Sequence, residues 1–364
     1  MFLLLLSSVF VAQAGVGDPV DGHPSWLERD LHLWTNAARM APHDFAKDAQ
    51  DGGCDVDDWA KAGRVPPLRY NLSLARVART HSADMHLTGE LSHDSSDGRT
   101  MIERIQAAYG SDKAFGENVA RGYPTARMAV LSGWMCSDGH RVNLLHSRYD
   151  EVGHGAVERW FTQDFGDGGG QPNPINSAVH EPEQPVDRVT FWSDTWSGVG
   201  ATPDAVDVVL DGRVVTLAQV AGVGGGGLWT GDAAVDGRCS PWFVEAQWAD
   251  RTVRWPESGS YAMGDCLFDD PGAGWLATQV ERGAGPFDPD WLDPDAGTDG
   301  TDGTDDTDPP SGGRRLTHLC AAQPGPLTGL GALLVLGLIR RRRAPARPAT
   351  RTARRAEPQK PPRH

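Results

Sequence analysis

The sequence lacks an apolar run of the ~20 residues that a membrane-crossing helix needs. The candidate near its C-terminal end, residues 327–339 (LTGLGALLVLGLI), has 13. Neither Ser137 nor Cys136 sits in a GxSxG elbow, so no serine or cysteine is marked as a nucleophile. His81 and His86 are five apart, not the four of an HExxH zinc pair. The glycine run at residues 222–227 lacks the Gly-Lys-Ser/Thr ending of a phosphate loop and reads as a flexible turn. A basic face is also missing. Net charge is −15, and from Arg340 onward ten Arg or Lys face one Glu, so that tail is +9 and the remainder −24. An acidic body of this kind excludes nucleic acid as the natural partner.

With 364 residues, 39% of them hydrophobic, the chain has material for about two folded units plus tails. Residues 1–14 form an apolar run that closes on Ala12-Gln13-Ala14, the pattern of a secretory signal peptide with a small-residue cleavage site. Export places the five cysteines in an oxidising compartment. Cys54 and Cys136 fall in the first unit and Cys239 and Cys266 in the second, which suggests one bridge per unit. Four cysteines allow three pairings, and sequence alone does not choose. Cys320 is left over.

Leu27, Leu31, Trp34 and Ala38 recur at helical spacing until Pro42, and Asn36 and Arg39 fall on the same helix. After two prolines, Leu74, Ala78, His81 and Met85 share the face of a second helix, where His81 reads as a core histidine. A third helix is predicted from Pro124, burying Val130, Leu131 and Trp134. Residues 152–166 alternate and are broken by glycine, as in paired strands. Residues 168–174 (GGGQPNP) read as a linker. Beyond them the pattern is strands without helices, including an Asp211-Gly212 hairpin signal and the alternating Trp242, Val244, Ala246 and Trp248. From residue 295 a Gly-Thr-Asp repeat is too polar to bury anything and reads as a disordered stalk over 295–313.

Three pieces in order, LSH around His93, GEN around Glu117 and W-x-x-S-x-GHR-x-N-L-L around His140, resemble the CAP superfamily of cysteine-rich secretory, antigen 5 and pathogenesis-related proteins. The resemblance covers residues 25–166. It implies a three-layer α-β-α sandwich, so the fold class is α+β. An all-β, immunoglobulin-like sandwich is expected to follow over residues 175–268. The family's pocket holds two histidines and two acids, which carries over to His93, Glu117 and His140. In place of the family's other acid, three residues after the helix tryptophan, this chain has Ser137.

Two imidazoles with a carboxylate are suited to a weakly held divalent metal such as zinc, on His93 and His140 with Glu117 as an optional third ligand. The same three residues offer a second reading, a metal-assisted hydrolase or peptidase. Glu117 also has a structural alternative, tying loops to backbone amides, and Asn118, Arg141 and Asn143 read as structural. A third reading makes the β-sandwich an adhesin. The family likeness further implies lipid, sterol or other envelope ligands, with no residue here marking them. The expected role is binding rather than catalysis.

A stalk, a lone Cys320, the apolar run and Arg340 to Arg343 together resemble the MYXO-CTERM sorting tails of bacterial surface proteins, in which residues 320–343 are the sorting or anchor segment. This implies attachment at the cell surface, through the membrane, by the C-terminal segment. Deleting residues 320–364 is therefore expected to release the folded units into the medium, measured by immunoblotting of cell and medium fractions. Retention of the truncated protein on cells would refute this.

Overall fold

In the computed structural model, residues 16–18, 23–46, 54, 56, 59, 62–110, 113–198, 200–266 and 319–322 are described. The expected signal peptide, the Gly-Thr-Asp stalk and the arginine-flanked apolar run lie outside them. Among the described residues, no helix is long and apolar enough to cross a membrane.

Helix α1 (Trp26–Met40) starts at a capping box in which Ser25 and Glu28 satisfy each other's backbone amides. A two-residue strand β1 (Arg69–Tyr70) leads into α2 (Leu72–Thr88), capped by Asn71 and ended by Gly89 in a left-handed conformation. Thr100 and Glu103 form a capping box at the start of α3 (Met101–Tyr109). The Gly-Glu-Asn segment is part of strand β2 (Phe115–Arg121). The third predicted helix begins as a short α4 (Ala126–Met128) and widens into a π-helical segment (Ala129–Trp134), closed by Met135 N–H donating to Val130 O. Helix α5 (Asp138–Leu144) precedes the antiparallel strands β3 (Glu151–Val157) and β4 (Trp160–Gly166).

The first sheet runs β1-β3-β4-β2, with β14 (Leu319–Ala322) added in parallel at the outer edge of β2. Residues alternate between its faces. On one face Gly153 and Gly155 admit α2 so closely that a Cβ at either would fall within 2.0–2.6 Å of the backbone around Leu74, Ala75 and Ala78. On the other face Val152, Phe161 and Phe165 pack with Leu31 and Trp34 of α1.

The later strands are β5 (Ala178–Glu181), β6 (Arg188–Trp196), β7 (Ala205–Leu210), β8 (Arg213–Thr216), β9 (Ala218–Val223), β10 (Gly226–Ala234), β11 (Ser240–Trp248), β12 (Arg251–Trp255) and β13 (Tyr261–Met263). They form two sheets, β5-β6-β10-β9 and β12-β11-β7-β8 with β13 also on β11. Asp211 and Gly212 both have positive φ, 47° and 73°, as a two-residue hairpin between β7 and β8 requires. Phe191, Val208, Trp242 and Val244 fill the space between these sheets.

Helix α1 is shared. Its buried cluster continues into Val179, Ala221 and Leu228 of the second sheet, and Trp34 meets Trp192 edge-on at 5.2 Å. Asn36 and Arg39, buried by this double cover, are satisfied across it. Asn36 accepts from Leu68 N–H (2.8 Å) and donates to Asp194 of β6 (3.0 Å). Arg39 donates to the carbonyls of Pro66, Leu144, His146 and Tyr149. Asn36 and Arg39 are both fully buried. Bridges join Cys54 to Cys136 and Cys239 to Cys266, with Cα atoms 5.4 and 4.4 Å apart.

Burial lowers the pKa of His32 on α1 to about 4, its ring donating to Leu68 O. The unfolded chain binds a proton there below about pH 6.5, so this residue withdraws stability as pH falls from about 6.5 towards 4. Asp30 and Asp164, whose pKa values burial raises, act in the opposite sense. The His32 contribution is therefore read as a difference: between about pH 7 and pH 5, urea denaturation should show the parent losing about 2 kcal/mol relative to His32→Gln. Parallel pH profiles for the two proteins would refute it.

Candidate functional site

The alternation of β2 decides what Glu117 meets. Its side chain enters the layer of α2 and α3, fully buried, while Asn118 points to the α5 side. Glu117 Oε2 accepts from Arg104 Nη2 on α3 at 2.6 Å. Oε1 lies 2.7 Å from His93 Nδ1. An ionised carboxylate only accepts, so Nδ1 carries the hydrogen and Nε2 is left at the far side of the ring. Arg104 also donates to His93 O (2.9 Å), fixing the LSH loop to the same ion pair. His81, read from sequence as a core histidine, is buried on α2 with Nε2 donating to Ser92 O at 2.8 Å, and that nitrogen is 4.0 Å from Glu117 Oε1.

A second acid, unmarked in the sequence pattern, stands opposite Glu117 on the next strand. Asp164 of β4 is its register partner and is fully buried. Burial foremost, and then the charge of Glu117, push the Asp164 carboxyl well above the usual range, so it holds its proton. Burial also pushes Glu117 upward, but His81, Arg104 and His93 outweigh it and hold Glu117 down at about 2. One carboxyl of the pair is therefore ionised and the other neutral. Burial lowers the pKa of His81 against the opposing pull of the Glu117 charge.

Of the three residues singled out by sequence, contacts among the described residues join two, His93 and Glu117. His140 is buried on α5, where its carbonyl accepts from Asn118 Nδ2 at 3.2 Å, on the other side of β2. Asn143, expected to be structural, donates to Glu117 O and Asn118 Oδ1. Arg141 donates to Met135 O and Asp138. Ser137 precedes α5, and Cys136 is tied up in its bridge to Cys54. The donor set does not suit a divalent cation. Both oxygens of Glu117 are taken, one of them by a guanidinium that would repel the ion, and no group of three His, Cys, Asp or Glu among the described residues is arranged to hold a metal.

Arg104 is the cation that keeps Glu117 charged in the interior. Arg104→Gln should destabilise the fold by about 3–5 kcal/mol, because it strands a buried carboxylate. Adding Glu117→Gln should recover much of that loss, measured by chemical denaturation of both single variants and the double. Additive losses would show that the two side chains do not depend on each other.

Comparison with known proteins finds likeness over part of the chain. Residues 35–165 match the family model described as CAP, the cysteine-rich secretory protein family. The uncharacterised membrane protein YlbC of Bacillus subtilis is 35% identical over 98 residues, covering 27% of this chain and 28% of that protein. The uncharacterised protein YkwD of the same organism is 34% identical over 103 residues, 28% of this chain and 40% of that one. The chain thus spans well under two thirds of the length of these curated relatives. Among solved structures, an extracellular protein containing an SCP domain from Bacillus anthracis is 36% identical over 28% of this chain and 34% of its own, with a TM-score of 0.26. A cysteine-rich secretory protein from Staphylococcus aureus is 22% identical over 35% of this chain and 39% of its own, also with a TM-score of 0.26. The chain therefore carries, within residues 35–165, a domain of the CAP family.

Proposed function

We propose that the chain is an exported cell-surface protein whose CAP domain binds an envelope component at the Glu117 site, with His93 as the recognition group. One observation supports this above the others. His93 Nε2, His81 Nδ1 and Arg104 Nε are buried around a single ionised carboxylate without hydrogen-bond partners, whereas the neutral Asp164 carboxyl has Glu117 as its partner. Each such group costs about 1–3 kcal/mol if nothing satisfies it, and a fold rarely gathers several in one place without a ligand or bound solvent to meet them. The ligand suited to these atoms is polar, with both donors and acceptors, such as a lipid headgroup or a saccharide hydroxyl cluster. The following strands, two sheets packed face to face around Trp242, we read as an immunoglobulin-like module, and the segment from Cys320 onward as the sorting tail that keeps the protein at the surface.

A hydrolytic reading has its own support in the Glu117–His93 pair. A carboxylate that fixes Nδ1–H leaves Nε2, in the neutral ring, as a base for water. Cys136 supplies no thiolate beside it, so water would have to be the nucleophile.

The test is nuclear magnetic resonance of the labelled protein with zinc chloride, anionic lipid vesicles and a saccharide fragment as separate probes. Binding should shift the His93 and His81 ring signals with the lipid or the saccharide and disappear in His93→Ala, while Glu117→Gln weakens it. Shifts with zinc alone, lost only in a variant lacking both His93 and His140, would restore the metal reading. If neither variant alters any binding and both only lower stability, the residues are structural.

A further inference from the structure

The outer edge of β2 is covered from far along the chain. Leu319–Ala322 pairs with Glu117–Ala120 in parallel register, and it follows Cys266 by a Gly- and Asp-rich stretch of 52 residues, 267–318. Helix α5 also touches this added strand, so β14 lies in a groove between a sheet edge and a helix. Closing so long a connection is affordable, since loop entropy rises only with the logarithm of length.

Alternate residues of β2 direct both N–H and C=O outward. The outward carbonyls of Glu117 and Val119 accept from Asn143 Nδ2 (3.1 Å) and Trp134 Nε1 (3.2 Å). Their N–H groups belong to fully buried residues and need acceptors, which an added strand supplies. Nothing blunts this edge. Strand β2 reads FGENVAR, without proline or lysine, and it keeps an unbroken register with β4. β14 covers only four of its seven residues, leaving Phe115, Gly116 and Arg121 outside the pairing. A longer extended chain would make more bonds of the same kind.

We propose that the outer edge of β2 is a binding groove for an extended peptide, and that Leu319–Ala322 occupies it as a self-ligand which shuts the groove to other chains. Recognition runs through the main chain, with the peptide added as a strand. The peptide that fits has no proline and carries small or apolar residues at its centre, as Leu-Cys-Ala-Ala does. The groove uses the backbone of Glu117 and not its carboxylate, so it is separate from the His93 contact.

The test uses the full chain. Cys320→Pro with Ala321→Pro removes the N–H at two consecutive positions, so whichever of them faces β2 is lost. Amide exchange at Glu117 and Val119 should then quicken at least about tenfold. A fluorescent peptide of residues 316–325 carrying Cys320→Ser should bind the double variant at least about tenfold more tightly than the parent, whose groove is filled in cis. Binding should shift the amide signals of residues 117–120 and be unchanged when His93→Ala is added. Thermal melts establish that the double variant is folded; if it is not, the parent decides, and excess peptide should shift its 117–120 signals. The proposal is overturned if exchange at Glu117 and Val119 is the same in both proteins, if the peptide binds neither or both alike, or if sedimentation shows a parent dimer that the double variant loses, which would place the strand in a second copy.

Discussion

The structure turns on the burial of helix α1 from every side. A helix at a protein surface keeps one face for water, but α1 is pressed by the CAP sheet on one flank and by the β5-β6-β10-β9 sheet on the other. Thirteen of its fifteen residues are buried, among them Glu28, Asp30, His32, Asn36 and Arg39. Such a helix is tolerable only if each polar group meets a partner, because an unpaired one costs as much as a buried methylene or two contributes. Asn36 with Asp194 and Leu68, and Arg39 with four carbonyls, supply those partners from both flanks. The α-β-α sandwich and the β-sheets are joined through the side chains of one helix.

That constraint explains what the sequence reveals and what it hides. The helical spacing of Leu27, Leu31 and Trp34, the Asp211-Gly212 hairpin and the alternation of β11 are local patterns, and local patterns survive in the folded chain. Asn36 is buried against Asp194, 158 residues away, and Arg39 against carbonyls up to 110 residues away, which no window around α1 can contain. Helix α3 did leave a local mark, the Thr100-x-x-Glu103 capping box, and reading it would have placed Arg104 beside the LSH loop.

At the candidate site the motifs were legible as words but not as a layout. LSH and GEN meet, through the 2.7 Å contact of His93 and Glu117. GHR does not join them among the described contacts, because a strand sends neighbouring side chains to opposite faces and α5 packs on the face of Asn118. Asp164 is opposite Glu117 only through the β2–β4 register, and a lone aspartate in a strand gives no sign of such a neighbour. His81 was correctly assigned to the interior, but its distance from Glu117 depends on how closely α2 settles on Gly153 and Gly155.

The edge of β2 has a mechanical consequence. Strand β14 pairs with it over four residues, Leu319 to Ala322 opposite Glu117 to Ala120. Two outward carbonyls of that stretch, of Glu117 and Val119, already accept from the side chains of Asn143 and Trp134. Tension applied to the chain beyond residue 322 reaches this short ribbon before any other described strand. The ribbon can peel away while those carbonyls keep their side-chain partners, so it yields first, as a fuse, and leaves the four strands behind it under no strain.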